Sequence, residues 1–351
     1  MRPLIAHIRL NHLRHNFRVL KAIHGGKMLA VVKANAYGHG AVQCALALRD
    51  LADGYAVACL EEAVQLRQAG IELPIVLLEG VFDAEEYAVI DQHRLWPVVQ
   101  TQWQLETLLA HNWQTPVSVW LKMDSGMHRA GFFPQDYAPA YYALAQSEKV
   151  ADIVKMSHFA CADEPENRMT NTQIRTFNEA ADVLPGEVSL ANSAALLAYP
   201  ETRRGWVRAG IALYGASPLG GVDSRLKAVM RLESRVFAER VLQANEPVGY
   251  GATFITQHAT RVGLIACGYA DGYPRHAPIG TPLSIDGTRS RVIGRVSMDM
   301  MTTELADYQH VGNAVELWGD SVHINEVAAA AQTIAYELLC NVKRAHFVYE
   351  D

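Results

Sequence analysis

Cysteine is scarce in this chain and poorly placed for cross-linking. Five are spread over 351 residues (Cys44, Cys59, Cys161, Cys267 and Cys340), an odd number with no Cys-x-x-Cys pair. That pattern argues against a disulfide framework and a structural zinc site, and it suits a reducing cytoplasm. Long apolar runs are also lacking: none approaches the roughly 20 residues that a bilayer span needs. The first apolar segment contains His7 and Arg9, so no secretory signal is expected. Basic charge is in short supply, with a net charge of -6 and no Lys/Arg-rich run, which disfavours nucleic acid as a partner. No internal repeat or low-complexity segment stands out. What is present is apolar material: 50% of residues are hydrophobic and 19% charged. This supports a large core and two domains rather than one.

The most informative stretch is Met28 to Gly40, Met-Leu-Ala-Val-Val-Lys-Ala-Asn-Ala-Tyr-Gly-His-Gly. Met28–Val32 is a short apolar run ending in two β-branched residues, as in a buried strand. Lys33 comes where the run stops, Asn35, Gly38 and Gly40 supply turn chemistry, and Ala41–Leu48 resumes as a helix. A lysine at such a strand end is partly desolvated, which lowers its pKa and frees an amine for Schiff-base chemistry. The plainer reading is a lysine reaching out to solvent.

Arg2–Leu10 reads as a strand and Asn11–Ile23 as an amphipathic helix. Eight apolar runs follow, at Met28–Val32, Tyr55–Ala58, Ile75–Leu78, Leu95–Val99, Val117–Leu121, Ile153–Phe159, Glu187–Leu190 and Trp206–Ala209. Helical stretches separate most of them, for example Glu61–Ala69, Ala84–Gln92, Gln102–His111 and Met169–Val183. This rhythm predicts an N-terminal (β/α)8 barrel. A doubly wound open sheet is the alternative, without the Gly-x-Gly-x-x-Gly fingerprint after its first strand. Beyond Gly220-Gly221 come β-branched segments broken by Gly, Pro and Asp: Arg261–Cys267, Leu283–Asp286, Arg291–Val296 and Ala314–Trp318, with one helix at Ile324–Ala335. The expected division is a barrel over 10–219 and a mainly β C-terminal domain over 220–351, joined by the N-terminal strand 1–9.

In such barrels the chemistry gathers at the carboxyl ends of the strands. Lys33 follows the first strand, and Lys122 with Arg129 the fifth. His158 ends the sixth, Ser193 follows the seventh and Arg208 ends the eighth. Any one of them could be an ordinary packed or solvated side chain; a lone histidine usually is. Together they place reactive or anion-binding groups on one rim. Asn192-Ser193 and Arg208-Ala209-Gly210-Ile211 also offer a hydroxyl and backbone N–H groups suited to a phosphate, if they are more than a helix cap and a turn. An amine beside a phosphate cradle suggests pyridoxal phosphate.

The stretch Ala30–Gly40 resembles the pyridoxal-phosphate attachment site of bacterial alanine racemases. Further motifs resemble that family in order: Lys122–Arg129, Ser157–Ala160, Ala191–Ala195, Val207–Ile211, Gly249–Thr253, Gly268–Tyr273 and Gly294–Asp299. The resemblance runs nearly end to end. It implies a barrel followed by a β domain, a cytoplasmic homodimer with shared active sites, and interconversion of L- and D-alanine for peptidoglycan or for alanine catabolism. By the same resemblance Lys33 would hold the cofactor as an internal aldimine and serve as one base, with Tyr250 of the partner subunit as the second on the opposite face. Tyr37, Ser193, Gly210 and Ile211 match phosphate contacts, Arg208 the partner of the pyridine nitrogen, and His158 a neighbour of the ring. Arg129 and Met298 match holders of the substrate carboxylate, with Asp299 and Tyr269 nearby, and Lys122 a lysine that some members carry carbamylated. No metal is implied.

One segment departs from the family pattern. Its usual Arg-Val-Pro-Arg run near the C-terminus is replaced by Lys343-Arg344-Ala345-His346-Phe347-Val348-Tyr349, read here as a variable C-terminal strand. Competing functions are a pyridoxal-phosphate carrier on the barrel alone, a decarboxylase of the same fold, and a metal-dependent hydrolase using carbamylated Lys122 with His128 and His158. Barrel hydrolases of that last kind usually show an early His-x-His, which is absent.

Overall fold

The computed structural model describes residues 2–351 and divides into two compact units. One comprises Asn16–Ala36 and Gly40–Leu213; the other comprises the residues up to His15, Tyr37–His39 and Tyr214–Asp351.

The first unit is an eight-stranded parallel sheet flanked by helices. Its strands are Lys27–Val31, Gly54–Val57, Ile75–Leu77, Trp96–Val99, Val117–Lys122, Val150–Met156, Val188–Ser189 and Trp206–Ala209. The first seven pair in chain order, and the eighth pairs with the first in the register Lys27↔Trp206 to Ala30↔Ala209. The Arg208 N–H donates to the Ala191 carbonyl at 2.9 Å and links the eighth strand to the end of the seventh. Gly54–Val57 and Ile75–Leu77 are buried throughout, because helices cover the outer face while side chains fill the inside. Such strands show continuous apolar runs, which is why all eight were visible in the sequence. Helix Pro134–Ala145 was not singled out there. Pro134 serves as a helix-starting proline and Pro139 is accommodated inside the helix.

The second unit is mainly antiparallel. Its sheet order is Thr260–Ile265, Met301–Glu304, Thr288–Ile293, Pro282–Ile285, Ala314–Trp318, Met230–Leu242, Ile5–Arg9 and His346–Glu350. The N-terminal strand lies antiparallel to Met230–Leu242 (Ala6↔Leu232) and parallel to the C-terminal strand (Ile8↔Tyr349). The 13-residue strand Met230–Leu242 was missed in the sequence, where its Arg, Glu, Ala and Leu content reads as helical. A bulge between Val236 and Ala238 interrupts its pairing with Thr260–Ile265, which runs on to Leu242, while Leu232–Arg235 pair with Ala314–Trp318. The expected helix Ile324–Ala335 is two helices, Ile324–Ala330 and Ala335–Cys340, parted where Gln332 takes a φ of 54°. Among the described residues no helix is long and apolar enough to cross a membrane.

Candidate active site

Lys33 stands two residues beyond the first barrel strand. Ala34, Asn35, Ala36 and Tyr37 then take φ values of 52, 53, 55 and 52°, one turn of left-handed helix. Each such residue costs about 1–2 kcal/mol for an L-amino acid, so the turn persists only because its surroundings fix it. The Glu62 carboxylate accepts the Ala34 N–H at 2.6 Å and the Ala58 N–H at 2.8 Å, tying the turn to the end of the next strand. Ala36 N–H donates to the Val32 carbonyl, and Ala41 N–H donates to the Asn35 side chain. Gly38 is obligatory, since a Cβ there would lie 2.2 Å from the Leu339 carbonyl oxygen.

Four cations converge at the carboxyl ends of the strands. Burial, and then Arg208, Arg129, Lys122 and Lys33, hold the His158 pKa well below 6.5, so the imidazole is neutral. Lys122 ends the fifth strand, 8% exposed, and donates to the Gln100 side chain at 3.3 Å. Burial, then Arg129 and Arg208, lowers its pKa to about 8 against the opposing pull of Asp124. Asp124 also accepts the Gly126 and His128 N–H groups, shaping the loop that carries exposed Arg129.

Arg208 is 4% exposed and bonded without a carboxylate. Its guanidinium donates to Ser189 (carbonyl and hydroxyl), to the carbonyls of Ser157 and Leu190, and to His158 Nδ1 at 3.2 Å. Burial lowers its pKa to about 10, so it stays protonated at neutral pH. Buried Ser193 Oγ accepts the Gly210 N–H at 2.8 Å and the Ala212 N–H at 3.4 Å, so the hydroxyl and the Gly210–Ile211 backbone form one local cluster.

Tyr37 is buried, its ring centroid 5.0 Å from that of Tyr214 and 5.8 Å from that of Tyr336; desolvation raises its phenol above the usual range. Tyr250 and Met298 belong to the second unit and are 65% and 54% exposed. Tyr250 stands between Gly249 and Gly251, both at φ 72°. Tyr269 N–H donates to the Ser297 carbonyl and Ala270 N–H to the Met298 carbonyl, each at 3.0 Å, locking those two turns together.

Two supporting residues escaped sequence reasoning. Glu62 looked like an ordinary first-turn helix acid. Gln173, buried on helix Met169–Ala181, donates to the His158 carbonyl and accepts the Ala160 N–H, both at 2.9 Å. Its one signal was a polar residue on the helix's buried stripe. Among the described residues no group of three His, Cys, Asp or Glu side chains is placed to hold a metal.

Comparison with known proteins agrees with this arrangement. Residues 8–218 match the family described as "Alanine racemase, N-terminal domain", and residues 229–349 match "Alanine racemase, C-terminal domain". The alanine racemase of Neisseria meningitidis serogroup A is 65% identical over 350 residues, covering 99% of each chain. That of Pseudomonas taetrolens is 54% identical over 98% of each. Among solved structures, the biosynthetic alanine racemase of Pseudomonas aeruginosa superposes with a TM-score of 0.97 at 45% identity over 100% of both chains. The alanine racemase of Bartonella henselae, solved with covalently bound pyridoxal phosphate, gives 0.91 at 30% identity over 99% of this chain and 100% of that one. A barrel rim ringed with cations, a β-rich second unit and likeness over the whole length lead to one conclusion: the chain belongs to the alanine racemase family.

Proposed function

We propose that the protein is an isomerase that interconverts L- and D-alanine with pyridoxal phosphate bound covalently to Lys33. One observation carries the reading: Lys33, Lys122 and Arg208 lie at the carboxyl ends of barrel strands, and buried Arg208 bonds to carbonyls, a hydroxyl and an imidazole rather than to a carboxylate. Positive charge gathered at one set of strand ends favours an anionic ligand, and a phosphate with an ionised phenol would supply it. The residues fit such a group. Ser193, Gly210, Ile211 and Tyr37 would hold the phosphate, Arg208 the pyridine nitrogen, and His158 would lie beside the ring. When bound, the cofactor withdraws electron density from the substrate Cα and acidifies its hydrogen.

The chain's own groups then divide the work. Arg208 keeps its proton at neutral pH, so it would donate a hydrogen bond to the pyridine nitrogen without protonating it. Electron withdrawal stays moderate, which disfavours transamination. Lys33 and Tyr250 take the two proton-transfer roles, one removing the α-hydrogen and the other returning a proton on the opposite side. Arg129 and Met298 hold the substrate carboxylate. A pKa of about 8 gives Lys122 a sizeable neutral fraction near neutral pH, the form that adds to carbon dioxide. A carbamate there forms as the nitrogen adds to carbon and an N–H proton leaves to solvent; it orients Arg129.

The active unit in this reading is a homodimer, with Tyr250 supplied by the partner subunit. Support comes from the apolar side chains left exposed on the second unit: Tyr250, Met298, Met300, Phe237 and Ile255. A cytoplasmic setting is part of the same proposal, consistent with five cysteines outside any disulfide. The test is a coupled assay on a panel of L- and D-amino acids. Racemisation of alanine ahead of the others supports the proposal, and no turnover of alanine by the cofactor-loaded protein contradicts it.

A further inference from the structure

Where the chain departs from the family's C-terminal run, the structure contains an ion-pair network. Asp271, its side chain fully buried, accepts a two-pronged contact from Arg2 and the Gly268 N–H at 2.8 Å. Arg344 Nε lies 3.5 Å from the same carboxylate, while its Nη2 pairs with Asp299 at 2.9 Å. Arg2 also donates to the Asp299 carbonyl at 2.6 Å, and Lys343 N–H to the Asp271 carbonyl at 2.8 Å. Two guanidinium groups thus join the turn carrying Tyr269 to the turn carrying Met298.

The pair of Arg344 with Asp299 adds little stability, and the approach of Arg344 to buried Asp271 is long, at 3.5 Å. Its pair with Asp299 is half-exposed on both sides (50% and 49%), a setting in which ion pairs contribute about 0–1 kcal/mol. Its backbone meanwhile takes a φ of 55°, which costs a non-glycine residue about 1–2 kcal/mol. Such strain, held at a residue that reaches both Asp271 and Asp299, motivates a functional reading of the contact.

We propose that Arg344 is a positioning residue for the substrate carboxylate: it neutralises Asp299 and fixes the turns of Met298 and Tyr269. The inference rests on the role proposed above for Met298. Without Arg344, the Asp299 carboxylate loses its ion pair and keeps only the longer-range field of Arg2 beside the place where another carboxylate must dock.

The test uses holoenzyme with Arg344→Gln, Arg344→Lys and the double variant Arg344→Gln/Asp299→Asn. Readouts are kcat and KM for both alanine enantiomers, calorimetric binding of propionate (the alanine skeleton without its amine), and thermal unfolding. Arg344→Gln should raise KM and weaken propionate binding by about tenfold, the scale of one partly screened charge contact, with kcat within about threefold and Tm little changed. Added salt should narrow the gap. Arg344→Lys and the double variant should both return near the wild-type KM, because the charge is restored in one and its opponent removed in the other. The inference is overturned by an unchanged KM, by a double variant as impaired as the single one, or by loss of fold in Arg344→Gln. Failure of the wild-type holoenzyme to racemise alanine overturns the functional reading instead, whatever the Arg344 variants do.

Discussion

Arg208 Nη2 lies 3.2 Å from His158 Nδ1, so a permanently charged guanidinium faces an imidazole that must stay neutral. The contact makes Nδ1 the hydrogen-bond acceptor and leaves the ring's proton on Nε2. A lowered histidine pKa has a definite sign for stability. The unfolded chain binds a proton near pH 6.5 and the folded chain does not, so this contribution is present above that pH and is lost as pH falls below it. His158→Gln should therefore flatten the fall in stability between about pH 6.5 and 5, as followed by urea unfolding. An unchanged slope would argue against a neutral buried His158.

In the proposed reaction Arg208 also sets the fidelity. Arg208→Glu offers the pyridine nitrogen a partner that favours its protonation, and the fraction of turnovers ending in transamination should rise. Pyruvate formed per racemisation event measures this, and the same ratio as wild type would remove the role assigned to the guanidinium.

Lys122 titrates in the opposite range. Its folded pKa of about 8 is below the usual 10.5, so between those values the unfolded chain holds more protons and stability rises with pH. Lys122→Met should abolish that rise, about 1–3 kcal/mol between pH 8 and 10.5, and stabilise the apoprotein at pH 7. Carbamylated wild-type protein should lose the same rise, which carbon-dioxide-free buffer would restore.

Glu62 fixes the left-handed turn after Lys33 through two backbone N–H groups. Glu62→Ala leaves both donors without that acceptor and should cost about 1–3 kcal/mol of stability. It should also slow recovery of the cofactor absorbance when apoprotein is reloaded. Glu62→Gln, with one oxygen left, should fall between the two.

Tyr250→Phe should retain the wild-type cofactor spectrum while losing about two to four orders of magnitude in racemisation, the usual scale for a general acid–base group. The loss should be greater starting from L-alanine. Normal turnover would remove the two-base assignment.

The barrel could be read in the sequence because its strands are buried on both faces and leave apolar runs that need no partner to recognise. Once the strand ends were known, the placement of Lys33, Lys122, His158, Ser193 and Arg208 at or just beyond them followed from position alone. The left-handed turn was hidden, because alanine at 34 and 36 signals the opposite hand and only Asn35, Gly38 and Gly40 hint otherwise. Strand Met230–Leu242 was hidden by charges on its exposed positions. Glu62 and Arg344 act across 28 and 45 or more residues of chain, where no local pattern reports them.

The most direct test is the covalent bond itself. Purified protein should be yellow, and borohydride should fix the chromophore so that peptide mass mapping places the pyridoxyl group on Lys33, while Lys33→Ala carries none. A label on another lysine, or a colourless protein that racemises alanine without pyridoxal phosphate, would contradict the account.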